Sequence, residues 1–315
     1  MNLFLLIITF FLMLDFFLNA ISKMLDLRNL NTVLPVEFNG YYSDDKYALS
    51  QEYLRENTWL SFVTSSINLI ILLLVIFFGL FNVIDLTIRS LNFSPVVSGL
   101  LFFGVLFLIQ DLIGTPFSLY RTFIIEENFG FNKTTPKTYL VDKLKSYFLL
   151  IILGGLILSL VLFFFNKFGD LAWLYAWMFL SAFLVLIQPL FTLFIAPMFN
   201  TFTPLEDGEL KDKINAFATK VNFPISRIDV MDGSRRSSKS NAYFSGLGKT
   251  KRIALFDTLI ENHSEDELLS IIAHEIGHYK KKHNIKGIIM GVIQTGIMFF
   301  LLSLFLNNEI LFSAF

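Results

Sequence analysis

Long apolar runs separated by charged loops dominate the pattern along this chain. The runs are long enough to cross a hydrocarbon core of about 30 Å as helices of about 20 residues. Six runs qualify, at residues 2–22, 59–81, 95–120, 147–165, 171–199 and 287–305. The pattern predicts six transmembrane helices, and Pro189 and Pro197 predict a kink or a re-entrant end in the fifth.

The loops between these runs differ strongly in charge. All but two of the 25 Lys and Arg residues lie in segments 23–58, 120–146 and 196–286, the exceptions being Arg89 and Lys167. Because positively charged loops tend to stay in the cytosol, we expect these three segments to be cytosolic and the amino terminus to lie outside.

Segment 201–286 is charged and contains no apolar run of span length. Its spacing predicts a helix at 209–221 and short strands at 228–231, 242–244 and 253–256. The predicted fold class is therefore mainly α, a multi-span helical membrane protein with a small cytosolic α+β domain. We expect an N-terminal transmembrane domain at 1–200 and a second domain at 201–315 that includes the last span.

Composition supports a membrane protein and narrows the chemistry. With 54% hydrophobic residues, 38 Phe, 16% charged residues and a mean hydropathy of +0.62, the chain has too little polar surface for a soluble globule. A net charge of −1 gives no basic footprint for nucleic acid. Because Cys is absent, a metal ion must be held by His, Asp or Glu.

An H-E-x-x-H motif provides candidate metal ligands. Ser264 and Glu267 form a predicted capping box that opens a helix with an apolar face. On that helix His274 and His278 lie one turn apart on one face, where both can bind one zinc ion, while Glu275 can act as general base on the attacking water. The alternative is a chance motif on a surface helix, but two of only four His residues fall in it.

The third ligand that a catalytic zinc needs is harder to find. If the helix continues, His283 lies about half a turn round from His274. We therefore expect His283 to be a solvated neighbour of the adjacent lysines, and we predict that the third ligand is not present in this chain.

Four stretches of the chain resemble the type I CAAX prenyl endopeptidases, which are integral membrane zinc proteases of the gluzincin kind. The resemblance covers nearly the whole chain, in the family's order. The stretches are YRTFIIEENFGFNKTTP at 120–136, APMFNTFTPLEDGELK at 196–211, DVMDGSRRSSKSNAYFSGLGKTKRIALFDTLI at 229–260 and IIAHEIGHYKKKH at 271–283.

The resemblance implies the same roles for the H-E-x-x-H residues and makes 201–315 a metallopeptidase domain. It also implies that Asn241 helps to hold the reacting carbonyl, with Ala242 and Tyr243 beside the substrate strand; the alternative for Asn241 is a turn residue. The family's third ligand is a Glu that follows a seventh span. This sequence ends at Phe315 after its sixth, so we expect a truncated or split gene product, or a second chain that completes the site.

Together these features predict a zinc-dependent membrane metalloendopeptidase for CAAX-type carboxyl-terminal processing of lipidated or membrane-associated peptides. The expected partners are a peptide or protein substrate, prenylated or not, and membrane lipid, with no nucleic acid. The Phe-rich composition favours a bacterial inner membrane, and with it a role in membrane-protein quality control. A catalytically incomplete scaffold or subunit is a competing hypothesis. A transporter is another, although the two similar halves of a transporter are not seen.

Overall fold

Long apolar helices make up most of the chain in this computed structural model, which describes residues 2–245, 252–306 and 311. Within those residues the predicted number of six membrane-spanning helices is confirmed. The spans are Leu3–Asn29, Asp44–Phe77, Pro95–Asn128, Pro136–Lys167, Gly169–Phe199 and His283–Phe305.

The second span begins at Asp44, well before the apolar run that predicts it. The Ser43 side chain accepts a hydrogen bond from the Lys46 N–H at 3.3 Å, and Asp44 and Asp45 occupy the first turn. Such caps and acidic residues set the start of a helix. Hydropathy therefore marks only the part of the helix that lies in the membrane.

π-helical turns interrupt the third, fourth and fifth spans, at Arg121–Ile125, Leu150–Gly154 and Phe191–Ile195. The turn in the fifth span follows Pro189, which lacks an N–H and whose ring pushes against the preceding turn. The helix changes to a π turn at this point and then continues to Phe199, and the predicted kink or re-entrant end stays a prediction.

A short helix at Leu80–Arg89 begins at the end of the second predicted apolar run, 59–81, and extends into the loop that follows it. Its apolar and polar residues fall on different faces, and Arg89 pairs with Asp85 one turn away at 2.6 Å. With 10 residues, this helix is too short to cross a membrane. Short 3₁₀ turns occur at Val36–Phe38, Gly169–Leu171 and Gly233–Arg235.

The chain divides into two compact units, one made of residues 1–130 and 304–315 and the other of 131–303. The first unit contains the first three spans. The second contains the fourth and fifth spans, the small α+β domain and most of the sixth span. This division follows contacts, whereas the predicted boundary at 200/201 follows composition and stays a prediction.

The α+β domain contains a four-stranded sheet in the order β1-β2-β4-β3. Its strands are β1 (Phe202–Pro204), β2 (Arg227–Met231), β3 (Ala242–Ser245) and β4 (Arg252–Phe256). β2 and β4 are parallel, and the outer strands β1 and β3 run antiparallel to their neighbours. Three strands match the sequence prediction. β1 was missed because a three-residue edge strand that ends in proline has no readable alternation.

Three helices pack on this sheet: Glu209–Lys220, Asp257–Asn262 and the motif helix, Glu265–Lys280. One face of the motif helix buries Leu268, Ile272 and Ile276, each at most 2% exposed, in the domain core. The spacing of these residues by four places them on one stripe. The histidines of the motif lie on the other side, so the core fixes the direction in which they point.

The sixth span begins directly after the motif helix and packs on the fifth span. Trp177 donates from its indole Nε1 to the backbone oxygen of Val292 at 2.8 Å. Gly296 makes room for this ring, because a Cβ atom there would lie 2.9 Å from the indole nitrogen. The contact anchors the helix that carries His283 at its first position.

Candidate active site

The motif helix is held at its amino end by the predicted capping box. The Glu267 carboxylate accepts hydrogen bonds from the Ser264 N–H at 2.8 Å and from the Ser264 hydroxyl at 2.9 Å. The first of these bonds, more than the second, lowers the pKa of Glu267 below its ordinary value. The cap and the buried stripe together fix where this helix starts and which way it faces.

His274 and His278 turn their Nε2 atoms toward each other, 3.1 Å apart, with ring centroids 4.8 Å apart. A tetrahedral zinc with two Zn–N bonds of about 2.05 Å holds its nitrogens about 3.3 Å apart. The observed separation fits that pair of bonds. Both side chains are accessible to solvent, as ligands of an open site must be.

Glu275 is half-buried beside the first of these histidines. Its carboxylate forms none of the hydrogen bonds or ion pairs found among the described residues. A carboxylate in that position is free to accept a proton from a water molecule.

The predicted placement of His283 was wrong. The motif helix ends at Lys280 instead of continuing, and Lys282 adopts a left-handed conformation with φ of 58°. This break turns the chain back, so that the Nδ1 atom of His283 lies 2.8 Å from the Nδ1 atom of His278. His283 is exposed as predicted, but it touches a candidate ligand and does not point away from it.

The described residues contain no cluster of three His, Cys, Asp or Glu side chains able to hold a metal ion. Because His283 approaches the back of the His278 ring, it does not converge with the two Nε2 atoms on a common point. The prediction that this chain supplies no third ligand stays a prediction.

Asn241, Ala242 and Tyr243 lie at the start of β3, at an edge of the sheet. The Asn241 side-chain Oδ1 accepts the Ala242 N–H at 2.8 Å, and the Asn241 backbone oxygen accepts the N–H of Phe256 at 3.0 Å. The Ala242 side chain is buried in the core, whereas Asn241 is exposed. Burial raises the pKa of the Tyr243 phenol, so its hydroxyl stays protonated.

Arg236 carries a role that was not predicted from the sequence. Its guanidinium binds the Asp142 carboxylate through two hydrogen bonds of 2.7 and 3.0 Å. It also donates to the Asn200 side chain at 2.8 Å and to the Phe199 backbone oxygen at 2.6 Å. These contacts tie the segment before β3 to the fourth span and to the end of the fifth.

The same segment is paired with the loop between the third and fourth spans. The Arg236 backbone oxygen accepts the Lys133 N–H at 3.0 Å, and the Ser238 N–H donates to the Phe131 oxygen at 3.0 Å. The position of the edge strand β3 thus depends on residues that are far away in sequence. An Arg-Arg pair in a charged loop gives no signal of that role.

Comparison with known proteins places both halves of the chain in one family. The model described as CAAX prenyl protease N-terminal, five membrane helices, matches residues 23–201, and that of peptidase family M48 matches residues 204–315. The chain is 40% identical over 296 residues to CAAX prenyl protease 1 of Saccharomyces cerevisiae, covering 90% of this chain and 65% of that protein.

Further relatives agree. The probable CAAX prenyl protease 1 of Schizosaccharomyces pombe is 37% identical (89% of this chain, 62% of that protein), and the homolog of Arabidopsis thaliana is 35% identical (92% and 72%). The crystal structure of S. mikatae Ste24p matches with a TM-score of 0.93 and 37% identity, over 98% of this chain and 73% of that one.

The chain spans slightly less than two thirds of the length of the S. cerevisiae and S. pombe proteins. It spans close to three quarters of the chain in the S. mikatae Ste24p structure. The two family models together cover the second to the sixth described spans and the helix that carries the H-E-x-x-H motif. The family resemblance seen in the sequence is thereby confirmed: this chain belongs to the CAAX prenyl protease family within peptidase family M48.

Proposed function

We propose that this chain is a zinc-dependent membrane endopeptidase that cleaves near the carboxyl terminus of CAAX-type peptides. The observation that carries the proposal is the 3.1 Å separation of the two Nε2 atoms on one face of the motif helix. Two imidazoles one turn apart with a carboxylate beside the first suit metal-assisted peptide hydrolysis.

In this proposal His274 and His278 hold the metal through Nε2, with a third ligand expected from outside the described residues. Zinc supplies a Lewis acid that polarises the scissile carbonyl and acidifies water. The Glu275 carboxylate takes a proton from the attacking water and later delivers it to the leaving amine nitrogen. No hydrogen bond or ion pair among the described residues competes for that carboxylate.

β3 provides an edge on which an extended substrate can pair. In an antiparallel ladder alternate residues turn their backbone groups away from the partner strand, and the bond from Phe256 to Asn241 makes Ala242 and Phe244 the outward-facing positions. An added strand would pair with the Ala242 carbonyl oxygen and with the N–H and carbonyl groups of Phe244, because the Ala242 N–H is bonded to the Asn241 side chain. Because the Asn241 Oδ1 is already occupied by the Ala242 N–H, its Nδ2 group remains to donate to the reacting carbonyl.

The substrate class follows from the relatives named above, which are CAAX prenyl proteases. We propose a prenylated peptide or protein as substrate and membrane lipid as its surroundings. The uneven distribution of Lys and Arg supports a cytosolic protease domain. The bacterial inner membrane stays a prediction from composition, and the relatives named here are eukaryotic.

Purified protein in lipid nanodiscs provides the test. Zinc content and cleavage of a farnesylated peptide ending in a CAAX sequence would be measured, with the unmodified peptide in parallel. We expect His274→Ala to lose zinc and cleavage together. Glu275→Gln should keep zinc and lose cleavage by about 10²–10⁴-fold, the usual contribution of a general base.

Glu261→Gln is the matched control, because Glu261 is an exposed carboxylate on the preceding helix. It should leave both readouts unchanged. Cleavage that survives Glu275→Gln would contradict the proposed mechanism. Protein without zinc would favour the scaffold or subunit hypothesis, and equal cleavage of the unmodified peptide would favour a quality-control protease.

A further inference from the structure

His283 contacts a candidate zinc ligand from the side that faces away from the metal. The His278 ring has its Nε2 atom 3.1 Å from that of His274 and its Nδ1 atom 2.8 Å from the Nδ1 atom of His283. The rings of His278 and His283 are nearly perpendicular, at 79° with centroids 4.8 Å apart. His278 is therefore held at both of its nitrogens.

We infer that His283 is a positioning residue that accepts a hydrogen bond from His278 Nδ1 and so presents His278 Nε2 to the metal; this inference rests on the proposed function. A neutral imidazole has one N–H and one acceptor nitrogen. If Nε2 of His278 binds a metal, the proton must sit on Nδ1, and Nδ1 of His283 must accept it. His283 then carries its own proton on Nε2, where it faces solvent.

The backbone between the two histidines is arranged to make this contact. Lys281 and Lys282 close the motif helix through hydrogen bonds to the Gly277 and Tyr279 oxygens, at 3.0 and 2.8 Å. The left-handed conformation of Lys282 costs about 1–2 kcal/mol for a residue other than glycine. A left-handed residue directly after the C-cap is a common way for a helix to end. Here it redirects the chain so that the residue that follows meets His278.

Metal-binding histidines generally donate their second N–H to a fixed partner, and loss of that partner weakens metal binding by about 10–100-fold. The partner here is an imidazole, which fixes both the tautomer and the ring plane of His278. Asn at position 283 can place its Oδ1 close to the site of the histidine Nδ1 and can accept the same hydrogen bond. Ala cannot.

The experiment measures Zn²⁺ affinity of the purified full chain by competition with a chelator, and the visible absorption of the Co²⁺-loaded protein. We expect His283→Ala to weaken Zn²⁺ binding about 10–100-fold and to shift the Co²⁺ spectrum, and His283→Asn to stay within about threefold of the parent. Lys281→Gln, an exposed neighbour, should change neither readout. Thermal unfolding of each metal-free variant separates lost ligand orientation from lost folding.

Each contrary outcome is decisive. Unchanged affinity in His283→Ala, with binding lost in His274→Ala, would overturn the role of His283 and leave the proposed function standing. Loss beyond about 1,000-fold without rescue by Asn would make His283 a direct ligand and would also overturn the inference. A parent protein that binds neither ion would overturn both this inference and the proposed function.

Discussion

Replacing Arg236 should weaken the contacts that hold the segment before β3 against the fourth and fifth membrane spans. Its side chain and that of Asp142 are 23% and 21% exposed, so solvent screens their two-bond ion pair only partly. Breaking a buried pair costs about 3–5 kcal/mol. Partial exposure favours the lower end, so we expect Arg236→Ala to cost about 3 kcal/mol and Arg236→Lys, which keeps the charge but loses the forked geometry, about half of that.

Thermal unfolding followed by the fluorescence of the three Trp residues measures this effect. At about 2–4 °C per kcal/mol for domains of 150–250 residues, Arg236→Ala should lower the midpoint by about 6–12 °C. Arg235→Ala removes the same charge from an exposed neighbour and should leave the midpoint nearly unchanged. The Arg236→Ala variant should also cleave substrate more slowly at temperatures where it is folded. Arg236 lies just before β3, and β3 is the strand on which we propose that the substrate pairs.

A double-mutant cycle with Asp142→Ala isolates the pair. We expect a coupling energy of about 1 kcal/mol or more, as for residues joined in one network. Additive effects, or an Arg236→Ala midpoint within about 2 °C of the parent, would refute the reasoning that this side chain anchors the strand.

Further predictions concern the motif helix. Ile272→Ala should destabilise the domain by about 2–5 kcal/mol, since that side chain is fully buried behind the metal face; a midpoint shift under about 2 °C would contradict this. The hydrogen bond from the Ser264 N–H lowers the pKa of Glu267 in the folded protein. The stability that this bond contributes is therefore fully present above the unfolded-state pKa of 4.5, and it is lost as pH falls through the lower pKa of the folded state. Glu267→Gln keeps the capping box but has no carboxylate to titrate. Between pH 5 and 3 its thermal unfolding midpoint should therefore fall less than that of the parent. Equal falls would refute the role given to the Glu267 carboxylate. Lys282→Gly should retain Zn²⁺ affinity and Lys282→Val should weaken it as His283→Ala does, because valine tolerates a positive φ poorly; equal affinities would contradict this.

The sequence was sufficient for features that depend on local pattern. Six apolar runs became six spans because burial in hydrocarbon requires a helix of that length. The capping box at Ser264 and the four-residue spacing of the histidines are also local, and both appear in the structure as predicted. Helix ends outside the membrane, such as Asp44, were missed because caps and not hydropathy determine them.

Features that depend on distant contacts could not be predicted in this way. Arg236 meets Asp142 and Asn200, which lie on other segments, and nothing in its neighbours marks it. The edge strand β1 exists only because β2 offers it a partner. Which residues face outward from β3 likewise follows from its register with β4, and a pattern of four residues cannot supply that register.

The placement of His283 shows how a single backbone residue can decide a site. A continuous helix would send this side chain to the far side, and three successive lysines are good helix formers that give no reason to expect otherwise. The helix ends instead because the next segment must turn into the sixth span, which is anchored on the fifth by Trp177. Packing of membrane helices therefore fixes the angle between the motif helix and the span. The left-handed Lys282 is the local consequence, and the contact of His283 with His278 follows from it.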